Sequence, residues 1–336
     1  MPIQFYFLPA GSGDSILIRT DDFIMLIDSG DTDVADELKH KIHETLKNRK
    51  INLIILTHID DDHIGGIQVL LDDQEFLDLL SKDCQVWINY PDKNTSIFPA
   101  SNNTNLIGFR SADQLMSLVY KKSIQHKDSI CCENNPNKIW VSQHIYLDII
   151  SPNLHKLNNF KKEYNRYQNN LISASLSDYK FSFQELTSNK DKTCSSINNG
   201  ASIAFILTYI YQNVERKFLF LADAHTGIIR KSLIQKGYSD DNPLIVDFVK
   251  ISHHGSKYNT SKKLLNLIST NNFIFLTENE NILPHKQTIE RIINRKHKKL
   301  TTNLIFNYEC TTKKLKNDGC ISKADIEILH LDNLIY

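Results

Sequence analysis

Thr57-His58-Ile59-Asp60-Asp61-Asp62-His63-Ile64-Gly65-Gly66 follows directly on the apolar run Leu53-Ile54-Ile55-Leu56. So short an apolar run, bounded by polar residues, reads as a strand from Asn52 to Thr57 buried on both faces. The loop at its end holds His58, Asp60, Asp62 and His63 within one turn, close enough to converge on one or two cations. Without positive ions such carboxylates repel and raise one another's pKa, so metal is the simplest reason for the cluster. The plain alternative is a solvated acidic loop, since Asp60-Asp61-Asp62 alone would be unremarkable. Against it, polar clusters recur at later strand ends: Asn199 to Ser202, Asp223, and His253-His254. Gly65-Gly66 is expected to let the backbone turn sharply into a helix.

Upstream, three strands are expected at Gln4 to Leu8, Ser15 to Arg19 and Phe23 to Ile27, with Gly11, Gly13 and Asp21-Asp22 in the turns. Asp33 to Lys47 changes period: Val34, Leu38, Ile42 and Leu46 predict an amphipathic helix, with Asp31 or Thr32 as N-cap. From 91 to 197 the chain is rich in Asn, Ser and Lys, with a strand only near Ile145 to Ile150, and reads as an insertion. Regularity returns with a hairpin, Ser202 to Tyr211 and Lys217 to Leu221. Helices at Thr226 to Lys236, Ser261 to Ile268 and Lys286 to Lys296 then alternate with strands at Asp247 to Ile251 and Phe273 to Leu276. Two such halves predict an α/β fold, a four-layer αββα sandwich forming a single domain over 1–336 with the insertion 91–197 between the halves.

With 336 residues, 41% of them hydrophobic, the chain can bury a sizeable core. Lys plus Arg and Asp plus Glu both number 39, so no net field draws the molecule to nucleic acid or an anionic membrane. The basic runs Lys121-Lys122 and Arg295-Lys296-His297-Lys298-Lys299 read as a solvated face, with a nucleic-acid contact as the alternative. Apolar stretches such as Ile203 to Tyr211 fall short of the roughly 20 residues a membrane helix needs. The apolar N-terminus is broken by Pro9 and Gly11 before it could serve as a signal peptide. Six scattered cysteines without a Cys-x-x-Cys pair suit a reduced, cytoplasmic protein, and Cys131-Cys132 beside His126 is a poor zinc chelate.

The loop from His58 to His63 resembles the His-x-His-x-Asp-His signature of metallo-β-lactamase-fold hydrolases, with Asp60 in place of the second His. That variant is similar to the hydrolase domain of competence DNA-uptake channels, the ComEC-like subgroup. Gly11-Ser12-Gly13-Asp14-Ser15-Ile16, Leu26-Ile27-Asp28-Ser29-Gly30 and Asn199-Gly200-Ala201-Ser202-Ile203 fit the same subgroup. So do Phe220-Leu221-Ala222-Asp223, Lys250-Ile251-Ser252-His253-His254-Gly255-Ser256 and Pro284-His285-Lys286, with Ala222 standing where Gly is usual. The resemblance implies two divalent metal ions, zinc or manganese. His58 and Asp60 would bind one, Asp62 and His63 the other, and Asp223 would bridge them. His254, or else His253, would complete the second site, while the third ligand of the first is open between Asn199 and Ser202.

Two cations about 3.5–4 Å apart lower the pKa of a shared water, and the bridging hydroxide would be the nucleophile of a hydrolysis. Asp62 could orient it, and His285, expected to face the substrate, or His253 could protonate the leaving oxygen. An oxygen-rich first site makes manganese a rival to zinc. Asp14 and Asp28 read as turn-closing residues, and His225, His126 and His144 as surface or packing residues. The leading expectation is a phosphodiesterase or nuclease acting on DNA or a nucleotide. The alternative is a component of a multi-protein, anti-phage system that docks a protein partner through the insertion; a binding module without catalysis is disfavoured because the main ligand positions are filled.

Overall fold

The computed structural model describes residues 2–90, 107–166, 179, 182–188, 193–278, 282–298, 301–321 and 325–336. Its strands run in chain order β1 (Gln4–Phe7), β2 (Ile16–Arg19), β3 (Ile24–Ile27), β4 (Ile51–Leu56), β5 (Leu80–Ile88), β6 (Gln125–Lys127), β7 (Ile139–Trp140), β8 (Ile145–Ser151) and β9 (Ala204–Tyr211). They continue as β10 (Val214–Phe220), β11 (Leu244–Ile245), β12 (Phe248–Lys250), β13 (Ile268–Ser269), β14 (Asn272–Phe275), β15 (Thr302–Phe306), β16 (Ile326–His330) and β17 (Asn333–Ile335). One sheet has the order β17-β1-β2-β3-β4-β5-β6 and a second the order β16-β15-β14-β12-β10-β9-β8-β7, with β11 and β13 paired apart.

Side-chain alternation explains why β4 and the C-terminal half of β10, which lead into functional loops, are apolar on both faces. In β4, Leu53 and Ile55 point between the sheets, where they meet Phe5, Phe205, Leu207, Phe218 and Phe248. Ile54 and Leu56 point the other way, against Leu38 and Ile42 of α1 (Ala35–Leu46) and Ile64 and Ile67 of α2 (Asp61–Leu70). In β10, Phe218 and Phe220 face the first sheet while Leu219 lies among Ile229, Leu233 and Ile289 of the outer helices. Helices, sheet, sheet and helices thus form the αββα sandwich expected from sequence, with an apolar core at each of the three interfaces.

Several local expectations change. Gly65 and Gly66 lie inside α2 rather than at a turn; a Cβ on Gly66 would collide with the Ser29 carbonyl, so the pair lets α2 pack close to that strand end. Asp31 does not cap its helix with its side chain, because its carboxylate accepts the Ser12 amide and hydroxyl, both at 2.8 Å. The helix expected over Ser261 to Ile268 is only Lys262–Leu265, since the chain is drawn into β13.

The stretch 91–197 is partly framework. Its helix Ile107–Lys121 packs near α2, β6 extends the first sheet, and β7 and β8 extend the second. Gln125-His126-Lys127 shows no apolar pattern because an edge strand is held by backbone bonds from one side and buries little. Residues 91–106, 167–178, 180–181 and 189–192 of the expected insertion lie outside the described residues. The basic run near 295 is not a simple solvated face, although its last member, Lys299, also lies outside them. Arg295 is buried, donating to the carbonyls of Ile292 at 2.6 Å and Thr270 at 2.9 Å and covering the Phe273 ring at 4.7 Å. No helix among the described residues is long and apolar enough to cross a membrane.

Phe5 lies 4.5 Å from Phe218 and 4.9 Å from Phe248 between ring centroids, joining the first strand to the second sheet. Phe5→Ala should therefore cost about 3–5 kcal/mol in chemical denaturation. A loss below about 1 kcal/mol would show that the two sheets do not share this core.

Candidate metal centre

Parallel pairing decides which loops meet. β3 and β4 run in the register Ile27↔Ile55, so Asp28 emerges beside the end of β4, and its Oδ1 accepts the Thr57 amide at 2.7 Å. β10 and β12 run in the register Phe220↔Lys250, so Asp223 and His253 each emerge three residues beyond a paired position. The Ile203 amide donates to the Thr57 carbonyl at 2.8 Å, tying the two halves together at this rim. Carboxyl ends of parallel strands are where α/β sheets open to ligands. Asp28, Ala222, His253 and His254 all have left-handed φ, at 55°, 45°, 49° and 50°. Such conformations cost about 1–3 kcal/mol each and cluster at functional sites.

Asp223 stands at the middle. Its Oδ2 lies 3.8 Å from His58 Nε2 and its Oδ1 lies 3.6 Å from His63 Nε2, so its two oxygens turn to the two histidines of the signature loop. On the first side, Asp60 Oδ2 is 3.4 Å from His58 Nε2, and Asp60 Oδ1 accepts the Asn198 amide at 2.6 Å. On the second side, Asp62 Oδ2 is 3.3 Å from His254 Nε2 and 3.8 Å from His63 Nε2. Among the described residues three groups of potential donors result, His58 with His63 and Asp223, Asp62 with His63 and His254, and, behind them, Asp14 with Asp28 and His63.

Each imidazole is oriented from behind. His63 Nδ1 donates to Asp28 Oδ2 at 2.8 Å, and His254 Nδ1 donates to the Leu276 carbonyl at 2.9 Å. Thr57 Oγ1 gives its own proton to Asp28 Oδ2 at 2.8 Å, so it is left to accept from His58 Nδ1 at 3.1 Å. All three rings therefore carry a proton on Nδ1 and point Nε2 inward, the nitrogen that would bind a cation once any proton on it is displaced. Those three Nε2 atoms and Asp223 Oδ1 are shut from solvent without a hydrogen-bond partner. An orphaned buried polar atom costs about 1–3 kcal/mol, so this many around one point fits divalent cations and fits nothing apolar.

The charges agree. Burial pushes His254 down, but Asp14, Asp223 and Asp62 outweigh it and raise the ring to about 10. Burial is likewise overcome at His63, which Asp62, Asp28 and Asp223 hold well above the usual histidine range. Asp62, half-buried, is held ionised by His63 and His254, and Asp223, despite its burial, by His253, His254, His63 and His58. A metal-free pocket of this composition draws positive charge by holding protons that cations can replace.

Asp14 and Asp28 read from sequence as turn closers, and Lys250 carries no assigned role there. Asp14 is instead buried between the halves, ion-paired with Lys250 and 3.2 Å from His254 Nδ1, while Asp28 orients both Thr57 and His63. Their signal was present, since all three lie within the motifs that carry the resemblance. Gly13 belongs to the same construction, because a Cβ there would overlap the Asp62 carbonyl oxygen.

Asn199 reaches the centre through hydrogen bonds. Its nitrogen donates to Asp223 Oδ2 at 3.4 Å and its oxygen accepts from Ser196 at 2.7 Å. Ser202 is fully buried with an unpartnered hydroxyl, its amide closing onto the Asn199 carbonyl at 3.2 Å. Of the adjacent histidines, His254 joins Asp62 and His63, whereas His253 keeps about a third of its side chain exposed, with Nε2 3.6 Å from Asp223 Oδ2. His285 braces the loop rather than facing substrate: it is fully buried, its amide donates to Gly255 at 3.1 Å, and its Nδ1 accepts from the Lys257 amide at 3.3 Å. His225 is buried at the start of helix Thr226–Gln235, where burial and Lys156 depress it to about 4.

Residues 8–83, from the end of β1 into β5, match the model of the Metallo-beta-lactamase superfamily. The chain has the metallo-β-lactamase fold. Similar solved structures include the metallo-beta-lactamase fold protein YhfI from Bacillus subtilis, with 10% identity and a TM-score of 0.44 over 100% of this chain and 99% of that one. A diphosphatase from the PhnP family shares 11% identity at a TM-score of 0.45 over 99% and 97% of the two chains. Igni18, a metallo hydrolase from the hyperthermophilic archaeon Ignicoccus hospitalis, shares 8% identity at a TM-score of 0.39 over 100% and 99%. No curated protein matches the chain.

Because the carboxylates hold His63 and His254 protonated, zinc or manganese titrated into metal-free protein at pH 7 should displace protons. Apparent affinity should then rise with pH toward about 10. Calorimetry in buffers of different ionisation enthalpy counts the protons, and a count of zero at pH 7 would contradict the assignment. Asp28→Ala, which frees the His63 and Thr57 contacts, should weaken metal binding by about 10–100-fold in competition with a chromogenic chelator.

Proposed function

We propose that the chain is a metal-dependent phosphodiesterase or nuclease acting on DNA or a nucleotide. The observation that carries this reading is Asp223, with one oxygen turned to His58 and the other to His63, between donor sets completed by Asp60 and by Asp62 with His254. His58 and Asp60 would hold one cation, Asp62, His63 and His254 the other, and Asp223 both. His58 with Asp60 and Asp223 would give the first cation one imidazole against two carboxylates, an oxygen-rich set that suits hard ions such as manganese alongside zinc. The ComEC-like motifs point the same way, toward phosphoryl oxygens rather than a lactam carbonyl.

When bound, the two cations would supply Lewis acidity and lower the pKa of water at the centre. Asp62, on the signature loop, would orient that water toward phosphorus. His253 sits on the open side of Asp223, which outweighs burial and raises the ring above the usual histidine range. A ring at the rim whose protonated form is favoured by Asp223 suits proton donation to the leaving oxygen. Asn259 holds it there, with Oδ1 3.1 Å from His253 Nδ1 and Nδ2 donating to the Asp223 carbonyl at 2.9 Å.

The purified protein should contain zinc or manganese and should cleave bis-p-nitrophenyl phosphate, cyclic nucleotides or DNA. Asp62→Ala and Asp223→Ala should each lower kcat/KM on the order of 100-fold or more, a loss of about 2.7 kcal/mol of transition-state stabilisation. The reading fails if wild type holds less than one metal per chain and both variants match it on every substrate.

A further inference from the structure

Helix Leu154–Arg166 places Lys156, Asn159, Lys162 and Glu163 three and four residues apart on one face. Together with Ile197 they line a cavity of about 250 Å³. Ile197 opens the short helix Ile197–Gly200, and the next two residues of that helix reach the metal centre: Asn198 donates to Asp60 at 2.6 Å and Asn199 to Asp223 at 3.4 Å. The cavity wall and the two amides that hold candidate ligands are therefore consecutive residues.

Lys156 is drawn in toward this wall rather than spread over a solvated face. Gly200 permits the approach, since a Cβ there would lie 3.4 Å from Lys156 Cδ and 3.2 Å from His225 Cε1. Lys161 of the same helix is engaged elsewhere, donating to Ser129 at 2.7 Å. The ammonium groups of Lys156 and Lys162 pair with no carboxylate among the described residues, and Glu163 alone supplies negative charge to the cavity lining. A chain with 39 basic and 39 acidic residues has no general field for polyanions, so phosphate affinity has to come from local groups such as these.

We propose that this cavity is a subsite for a second phosphate of the substrate, held by Lys156 and Lys162 while the scissile diester lies at Asp223. The substrate class is then an oligonucleotide, or a nucleotide with a further phosphate, rather than an isolated diester. This inference rests on the phosphodiesterase reading.

The test uses Lys156→Gln, Lys162→Gln and the double variant, with Lys161→Gln as control; these keep side-chain length and helix propensity nearly unchanged. In EDTA, fluorescence anisotropy with 5′-fluorescein-labelled hexathymidylate reads binding without turnover. The double variant should bind on the order of tenfold more weakly at 0.1 M salt, and its log–log salt slope should be shallower by about 1.4, whereas Lys161→Gln should match wild type. With metal, the double variant should raise KM on hexathymidylate and leave kcat/KM on bis-p-nitrophenyl phosphate unchanged. Unchanged affinity and salt slope, or equal losses on both substrates, would overturn the subsite. If wild type cleaves no diester, the phosphodiesterase reading fails, and anisotropy still decides whether the cavity binds phosphate.

Discussion

An imidazole can offer a lone pair to a cation only if its other nitrogen keeps the proton, and the construction of this centre follows from that requirement. Asp28 and Thr57 take the Nδ1 protons of His63 and His58, and the Leu276 carbonyl takes that of His254. These acceptors come from β3, β4 and the end of β14, so the strand register that places them also sets the direction of each Nε2. One residue of slip in β3 or β4 would turn the inter-sheet set of side chains toward the helices and dismantle both core and centre.

The centre also concentrates charge where water is excluded. Asp14 and Lys250 form a buried ion pair between the halves, with His254 against the same carboxylate. Such a pair repays its desolvation only when geometry and hydrogen bonds are good, so it contributes position more than net stability. Here it fixes the distance between the turn at Asp14 and the end of β12. Left-handed backbone at Asp28, His253 and His254 belongs to the same arrangement, because strand ends directed at one point leave little choice of conformation.

How much was legible depended on whether a residue's partner lay nearby in sequence. The αββα architecture was readable because β3, β4 and the C-terminal half of β10 are apolar on both faces and the helices keep their own period. The density of ligands from His58 to His63 was readable because one strand delivers all of them. Asp14 and Asp28 looked like turn residues, and Lys250 showed no role, because their ion-pair partners are 35 to 240 positions away. The edge strand β6 and the closing strand β17, which pairs Gln4 with Ile335, gave no pattern because backbone bonds hold them. His285 sat in a matched motif, yet its full burial behind Gly255 and Lys257 gives it a bracing task that no motif states.

The sequence by itself determined the layer order, the strand that carries the signature loop, and a cluster of carboxylates and imidazoles that asks for positive charge. Those are consequences of composition and period, which act over a few residues. Only the tertiary structure decided that Asp223 lies between two donor sets, that His254 joins Asp62 and His63 while His253 stays at the open rim, and that Asn199 donates to Asp223. The reason is directional: hydrogen bonds and ligand lone pairs depend on angles fixed by sheet register and by contacts between distant loops, and local sequence leaves those angles free.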